Sequence, residues 1–381
     1  MAVNIITMST IHIKSNEALA EVATHWLTLE RIALDSEFMR VDTFYPILAL
    51  IQINDGSQTY LIDPICITDW APLIDVFTAP SVLKILHSPS EDLDVFFHNL
   101  GAIPRPIFDT QLAASMASLG GIMGYQKLVK NLLDLDVDKG ETRSDWMQRP
   151  LSDSQLHYAA EDVNHLLVMT DLLTENLTQL GRLEWFQEDC TSVLDDWLET
   201  QAQGYSYQRV KKAWGLKGYQ LNVLAQLVKW REQHCKAVNK PRGHIVKDDL
   251  LMDIASRLPQ SMQQLSQIKG LRPATLKKDG QAMIDVIVSC KDMEKSEWPK
   301  PMDRPLSQSA GDWFKKMRAL VNERAEELDV PPELLARKKP MEKLLRQAYS
   351  GQTLTIPESW QGWRETIVAQ PLVQLLKKLS K

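Results

Sequence analysis

Two closely spaced acidic side chains are the first candidates for chemistry in this chain. Asp35 and Glu37 lie two residues apart, directly after the apolar residues 32–34. Residues i and i+2 of a strand point to the same face, so a strand here would aim both carboxylates at one place. The two groups would repel each other there unless a cation or a proton lay between them. A solvated strand end is the alternative, because the same spacing of acids recurs elsewhere in the chain.

Further acidic positions follow at Asp92 and Asp162. Asp92 falls in the first turn of a predicted helix, where a carboxylate also serves as a simple cap or dipole partner. Tyr158 and Asp162 lie four residues apart on a predicted helix and therefore share one of its faces. No other tyrosine in the chain has an aspartate four residues later.

Four carboxylates and a tyrosine suit one kind of chemistry if the fold brings them together. Carboxylate oxygens are the ligands that Mg²⁺ prefers. Two such ions, roughly 3.5–4 Å apart, can stabilise both the attacking and the leaving oxygen of a phosphodiester displacement. A nearby tyrosine or histidine can orient or deprotonate the attacking water.

The order Asp-x-Glu, then Asp, then Tyr-x-x-x-Asp resembles the motif set of the DEDD 3′→5′ exonucleases in their tyrosine subclass. Further segments resemble the bacterial ribonuclease D family, at residues 33–38, 45–46, 61–64, 87–93, 109–111, 143–151 and 158–162. The resemblance covers nearly the whole chain and is loose after residue 205. His157 departs from the tyrosine pattern, because it stands five residues before Asp162, which is the spacing of the histidine subclass. Neighbouring residues of a helix point about 100° apart, so His157 and Tyr158 cannot both face the acid, and we expect Tyr158 to do so.

This resemblance implies an α/β ribonuclease H-like exonuclease domain with a mixed sheet, followed by two small all-α helical domains of the helicase-and-ribonuclease-D C-terminal (HRDC) type. We expect these domains at residues 1–200, 206–296 and 304–381. The resemblance also implies two divalent metal ions, Mg²⁺ or Mn²⁺, held by Asp35, Glu37, Asp92 and Asp162, with Tyr158 orienting the water. The implied activity removes 5′-mononucleotides from the 3′ ends of RNA, transfer RNA precursors and other small structured RNAs among them.

Substrate contacts are implied at several further positions. Phe38 and Met39 would wedge against the terminal base, although Phe38 is equally well a core residue. Gln52 or His87 would contact the terminal nucleotide. Phosphates would be bound by the basic side chains Lys139, Arg143 and Arg149. Asp109 would anchor the loop at the terminal sugar, or else cap a helix.

Strands and helices alternate in the first half of the chain. Apolar runs predict strands at residues 31–38, 47–53, 59–62, 82–86 and 106–108. The Asp55-Gly56 pair predicts a hairpin turn between the second and third of these strands. Helices are predicted at residues 69–77, 90–100, 110–117 and 125–133, and a long one from an N-cap at Ser152 to about residue 176.

Charge divides the chain near residue 200. Residues 1–200 carry 11 Lys and Arg against 30 Asp and Glu, whereas residues 201–381 carry 32 against 19, so the two halves have net charges of −19 and +13. The basic half reads as two copies of a helical module, in which residues 246–251 resemble 330–335 and each block is followed by Gly-apolar-Arg; one irregular helical domain is the alternative. Lysine and arginine clusters on solvated helices are common, but an excess of this size favours a grip on phosphate backbones that weakens with salt.

Composition narrows the remaining alternatives. The four cysteines form no Cys-x-x-Cys pair, the first residues do not resemble a secretory signal, and no uncharged run looks like a membrane span. We therefore expect a cytoplasmic protein, a monomer that binds RNA and no membrane. A DNA 3′→5′ exonuclease and a non-catalytic RNA-binding adaptor remain open as functions. A helicase is disfavoured, because the chain has no Gly-Lys dipeptide and hence no phosphate-binding loop of that type.

Overall fold

A mixed sheet forms the centre of the first half of the chain. The computed structural model describes residues 9–137 and 140–380. Within them the sheet contains six strands, namely β1 (Ser9–Ile13), β2 (Arg31–Met39), β3 (Ile47–Asn54), β4 (Gln58–Ile62), β5 (Leu83–Leu86) and β6 (Ile107–Asp109). Their order across the sheet is β1-β4-β3-β2-β5-β6. β1 is parallel to β4, β5 is parallel to both β2 and β6, and β3 pairs antiparallel with β4 through the predicted hairpin.

Helices surround this sheet. They are α1 (Asn16–Trp26), α2 (Ala71–Thr78), α3 (Ser90–Leu100), α4 (Thr110–Met116), α5 (Tyr125–Leu133), α6 (Asp153–Asn164), α7 (Leu166–Gln179) and α8 (Leu183–Gln203). The five predicted strands and the first four predicted helices are confirmed to within two residues at each end. Strand β1 and helix α1 were not predicted, because β1 is short and its apolar residues gain a partner only when β4 lies beside it.

The long helix predicted from residue 152 to about 176 is wrong as a single element. Its start is confirmed, since Ser152 caps α6 in a capping box with Gln155. The helix is interrupted at His165, after which α7 begins at Leu166. The apolar pattern continues across the break, so periodicity gives no sign of it.

By its internal contacts the chain divides into two compact units. The first comprises the chain up to Met39, Leu48–Asp195 and the chain from Leu306 onward; the second comprises Arg40–Ile47 and Asp196–Pro305. The second unit is a helical module of α9 (Gly218–Ala237), α10 (Arg242–Ile245), α11 (Asp248–Arg257), α12 (Met262–Ser266) and α13 (Pro273–Ser289). Phe44 lies in its apolar core, where the Phe44 and Tyr45 backbone N–H groups donate to the side chain of Asn239.

A second helical module ends the chain and packs within the first unit. It contains α14 (Gln308–Leu328), α15 (Pro332–Leu335), α16 (Lys338–Tyr349), a π-helical turn at Glu365–Ala369 and α17 (Gln370–Leu379). The predicted pairing of residues 246–251 with 330–335 is wrong in register. Residues 330–335 contain the one-turn helix α15, whose counterpart by order is α10, whereas residues 246–251 begin α11. The two segments share signals for starting a helix rather than equivalent positions.

The direction of the strands decides where chemistry can occur. Because β2, β5 and β6 run parallel, their carboxyl ends meet at one edge of the sheet. Asp109 ends β6, His87 directly follows β5, and Asp35 lies in β2 just beyond the residues that pair with β5. No helix in the described part of the chain is long and apolar enough to cross a membrane.

Candidate active site

The first two acids lie on β2, with Asp35 at its middle and Glu37 two residues further on. Residues Ile32, Ala33 and Leu34 are completely buried, which anchors the strand just before Asp35. Between the two acids, Ser36 donates its hydroxyl to Asp92 Oδ1 at 2.5 Å. This bond connects strand β2 to helix α3.

A tight turn between β5 and α3 delivers Asp92. Ser88 in this turn has a φ of 58°, in the left-handed region that a residue with a side chain rarely adopts. The Asp109 carboxylate holds it there, because Asp109 Oδ1 accepts from Ser88 N and from Gln111 N, both at 2.9 Å. Asp109 thus caps α4 and fixes the turn that leads to Asp92. This geometry supports the capping alternative for Asp109.

Helix α6 brings the fourth acid together with the tyrosine. Tyr158 hydrogen-bonds the Asp162 carboxylate, and its hydroxyl lies 3.3 Å from Thr142 Oγ1. His157, the neighbouring residue, is exposed. Glu161, four positions later, lies on the same side of the helix as His157. Of the two candidates, Tyr158 is the one placed against the acid.

The four carboxyl groups interact strongly with one another. Burial, and then the negative charges of Asp92, Asp162 and Glu37, raise the pKa of Asp35 well above its usual range. Burial, and then the charges of Asp162 and Asp92, raise the pKa of Glu37 to about 9. Burial raises the pKa of Asp92 and of Asp162 to about 7, despite the hydrogen bonds from Ser36 and Tyr158. The structure therefore brings the four predicted acids into one electrostatic cluster.

The donor set fits hard divalent cations. All four groups offer only carboxylate oxygens, and each carries an unfavourable charge interaction that a cation would reverse. Among the described residues, no three acidic, histidine or cysteine side chains already stand at the spacing of metal ligands. Uncompensated carboxylates repel one another, and a shared cation would draw them together.

Two of the predicted substrate contacts lie beside the cluster, and a third is enclosed. Phe38 and Met39 are half-buried at the end of β2, next to Glu37. Gln52 has no exposed surface in β3, and neither its Oε1 nor its Nε2 has a hydrogen-bond partner within the described chain. Its burial argues against the expected contact with a terminal nucleotide.

His87 is held by protein groups on both ring nitrogens. Nε2 lies 3.1 Å from the Met123 carbonyl, and Nδ1 lies 2.9 Å from Thr110 Oγ1. Burial lowers the pKa of His87 to about 4, so the ring is neutral at ordinary pH. Nε2 must then donate to the carbonyl, which leaves Nδ1 as the acceptor. This geometry supports a structural part for His87 more than a direct contact with nucleotide.

The predicted phosphate-binding residues differ in their availability. Arg143 is exposed. Lys139 lies outside the described residues. Arg149 is engaged within the protein, because its Nε and Nη2 donate to the Asp63 carboxylate at 2.7 and 2.8 Å. It also donates to the backbone carbonyls of Ala49 and Trp146, so its expected phosphate contact is not supported.

Tyr125 lies at this site but was not predicted from the sequence. Tyr125, the first residue of α5, is half-buried beside the cluster, and burial first, then the nearby charges of Asp162, Glu161 and Asp35, raise its pKa. The sequence offers no signal for this role, since a tyrosine after a glycine-containing loop is ordinary at the start of a helix. Only the packing of α5 against α7 brings it into place.

Comparison with known families agrees with this geometry. Residues 10–178 match a 3′-5′ exonuclease family, residues 220–287 match the HRDC domain, and residues 311–372 match the C-terminal HRDC domain of ribonuclease D. The chain is 40% identical to ribonuclease D of Pseudomonas paraeruginosa over 365 residues, which cover 96% of this chain and 97% of that protein. It is 32% identical to ribonuclease D of Escherichia coli over 371 residues, covering 96% and 98%.

A solved structure shares the whole architecture. The crystal structure of Escherichia coli RNase D, described as an exoribonuclease involved in structured RNA processing, matches with a TM-score of 0.88 at 30% identity. The match covers 97% of this chain and 99% of the other. The catalytic core of RRP6 from Trypanosoma brucei, at 20% identity and a TM-score of 0.57, shares the fold. With an exonuclease domain and two HRDC domains along its whole length, the chain belongs to the ribonuclease D family of 3′→5′ exoribonucleases.

Proposed function

We propose that this chain hydrolyses the 3′-terminal phosphodiester bonds of RNA with two divalent metal ions and releases 5′-mononucleotides. The observation that carries the proposal is the cluster of Asp35, Glu37, Asp92 and Asp162 at one edge of the sheet, whose charges raise one another's pKa. Such a cluster is unfavourable for folding in itself. Binding of divalent cations would neutralise the cluster and offset this unfavourable repulsion.

The residues of this site would bind the cations, orient the attacking water and position the carboxylates. Asp35, Glu37 and Asp162 would hold one cation, and Asp35 with Asp92 would hold the second. Bound divalent cations supply Lewis-acid stabilisation of the attacking and leaving oxygens. The Tyr158 hydroxyl, fixed between Asp162 and Thr142, would orient the attacking water. Ser36 and Tyr158 keep two of the carboxylates in place by hydrogen bonds.

The basic half of the chain suggests how the substrate is held. We propose the domain boundaries 1–200, 206–296 and 304–381, with the two helical domains binding the phosphate backbone. The pairs Lys211/Lys212, Lys277/Lys278 and Lys377/Lys378 are all exposed. The substrates we propose are transfer RNA precursors and other small structured RNAs, since relatives of this chain process structured RNA. We further propose a cytoplasmic monomer.

An end-labelled transfer RNA with a 3′ extension tests this function. We expect a ladder of products shortened one nucleotide at a time with Mg²⁺, and none with EDTA. A DNA oligonucleotide with the sequence of the extension serves as the matched substrate, and faster digestion of the DNA would contradict the preference for RNA. The variants Asp35→Asn and Asp162→Asn should each lower kcat by at least about 10³-fold, comparable with the loss of a main catalytic group. Undiminished activity in both variants would refute the assigned site.

A further inference from the structure

The junction between α6 and α7 follows Asp162 closely in the sequence. α6 ends at Asn164, two residues after the acid, and α7 begins at Leu166. Kinks in helices have identifiable causes, and one of them is a side chain inserted between the backbone partners of the helix. The residues near this junction include no proline or glycine that would explain it.

Tyr125 supplies such an insertion. Its hydroxyl donates to the backbone carbonyl of Glu161, while the backbone N–H of His165 is directed to the Val163 carbonyl. In a regular α-helix the N–H of residue 165 would donate to the carbonyl of residue 161. The tyrosine hydroxyl therefore occupies the carbonyl that the His165 N–H would use in a continuous helix.

Tyr125 is itself held in position from the side of the sheet. Its ring packs edge-on against His87, with ring centroids 5.8 Å apart and planes at 71°. The Met123 carbonyl, two residues earlier, accepts from His87 Nε2 at 3.1 Å and from Gln111 Nε2 at 2.8 Å. The beginning of α5 is thus fixed to the carboxyl end of β5 and to α4.

The junction is held from its other side as well. Asn164 Oδ1 accepts from Thr59 Oγ1 at 2.6 Å, which ties the end of α6 to β4. Glu161 Oε2 lies 3.2 Å from His165 Nε2 and Glu161 Oε1 accepts from Asn164 at 3.0 Å, which closes the turn on itself. The break is therefore a built feature with partners on several elements, rather than a loose helix end.

We infer that Tyr125 is a positioning residue for the nuclease reaction, whose hydroxyl holds the break between α6 and α7 and thereby directs Asp162 into the carboxylate cluster. This inference rests on the proposed role of Asp162 as a metal ligand. Without the hydroxyl, the Glu161 carbonyl is free to accept from the His165 N–H in place of the Val163 carbonyl. The helix then extends past His165 and turns Asp162 away from Asp35. A displacement of about 1 Å at a catalytic group can cost roughly 10²-fold in rate.

The variant Tyr125→Phe tests the inference, because it removes only the hydroxyl and keeps the ring against His87. We expect kcat on a labelled single-stranded RNA to fall about 30-fold or more with KM within about threefold of the wild type. We also expect the Mg²⁺ concentration for half-maximal activity to rise several-fold. Binding of Mn²⁺ measured by calorimetry in the absence of RNA should weaken in the same proportion.

The matched control is Tyr60→Phe. Tyr60 also donates its hydroxyl to a protein oxygen, Asp55 Oδ2 at 2.8 Å, at the β3–β4 hairpin of the same domain. If both variants leave kcat and the Mn²⁺ affinity unchanged, the inference is overturned. If Tyr125→Phe and Tyr60→Phe lower kcat equally while Mn²⁺ affinity is retained, the loss is general and the inference is again overturned.

Asp162→Asn separates this inference from the proposed function. An active wild type, an inactive Asp162→Asn and an unaffected Tyr125→Phe would refute the inference alone. An Asp162→Asn variant as active as the wild type would refute the proposed site itself. Should Tyr125→Phe unfold, as judged by circular dichroism, Asn164→Ala loosens the same junction from the side of β4 and is expected to weaken Mn²⁺ binding in the same direction; unchanged binding would count against the inference.

Discussion

Proton uptake by the acidic cluster is the main electrostatic property of the site at the scale of single residues. Burial raises the pKa of Asp92 and Asp162 from 3.8 to about 7. Between these two values the folded state binds more protons than the unfolded chain, so these groups make the folded protein less stable as pH rises. Divalent cations compete with these protons, so the affinity of the cluster for the cations should increase as pH rises through about 7.

Thermal unfolding at pH 6 and pH 8 checks this relation. In EDTA, the contribution of Asp162 should lower Tm at pH 8 relative to pH 6, and Asp162→Asn should reduce that difference by at least roughly 2–4 °C, the equivalent of about 1 kcal/mol. Addition of Mg²⁺ should raise the Tm of the wild type more at pH 8 than at pH 6. An equal effect of Mg²⁺ on wild type and Asp162→Asn at both pH values would contradict the prediction.

The neighbouring residues His157 and Tyr158 allow a second test at this scale. Because Tyr158 faces Asp162 whereas His157 is exposed, Tyr158→Phe should slow the chemical step by roughly 10–10³-fold. His157→Ala should retain the rate of the chemical step within about threefold. Single-turnover kinetics with saturating enzyme isolates this step from binding and product release. A loss confined to His157→Ala would exchange the two roles.

At the scale of elements, helix α8 carries a buried acid that holds the C-terminal module. Asp189 accepts from the Arg364 guanidinium at 2.5 Å through both carboxylate oxygens, and from Trp363 Nε1 at 3.0 Å. The Trp185 and Trp363 rings stack beside it with centroids 4.7 Å apart. Gly362 precedes this pair with a φ of 67°, and a Cβ there would lie 1.9 Å from Glu188 Oε1. The left-handed backbone favours glycine here, whereas the flexible Glu188 side chain could turn aside from a Cβ.

The Asp189→Ala variant tests this contact. It leaves the guanidinium of Arg364 buried and unpaired, which typically costs about 3–5 kcal/mol. Urea unfolding should show this loss or an earlier, separate transition of the C-terminal module. Asp195→Ala, an exposed acid on the same helix, serves as the control and should change the free energy of unfolding by less than about 0.5 kcal/mol. Equal stability of the two variants would show that the buried pair contributes little.

For the whole molecule, the unequal charge of the two halves indicates cation binding in the acidic half and binding of the RNA backbone in the basic half. The acidic half, at −19, contains the carboxylate cluster, part of whose charge bound cations would neutralise. The basic half, at +13, carries its lysine and arginine clusters on exposed faces of helices. Binding to a phosphate backbone releases counterions, so its strength depends on salt more than on sequence.

The salt dependence of RNA affinity tests whether the basic half binds the phosphate backbone. Replacing Lys277 and Lys278 by glutamate should weaken RNA binding and lower the slope of log Kd against log salt by about 1–2. Replacing both by arginine keeps the charge and should leave the slope unchanged. Hydrolysis of a dinucleotide, which has a single internucleotide phosphate, should be similar in all three proteins. A wild-type affinity that hardly varies with salt would contradict the prediction.

Sequence patterns were informative where the signal is local. Apolar runs located five strands, because a strand between two layers must be apolar whatever lies beside it. The capping box at Ser152 located the start of α6, because its partners are three residues apart. The break at His165 could not be predicted in this way, since its cause, Tyr125, lies 36 residues from the carbonyl that it contacts.

The sequence by itself determined the kind of chemistry and the order of the parts. The spacing of Asp35, Glu37, Asp92, Tyr158 and Asp162 and the division of charge near residue 200 are properties of the chain, independent of its conformation. Only the tertiary structure decided which neighbours these residues have. Packing enclosed Gln52, directed Arg149 to Asp63, faced Tyr158 rather than His157 toward the acids, and inserted Tyr125 behind Asp162. The physical reason is that pKa values, burial and hydrogen-bond partners depend on groups distant in sequence, which spacing along one element does not contain.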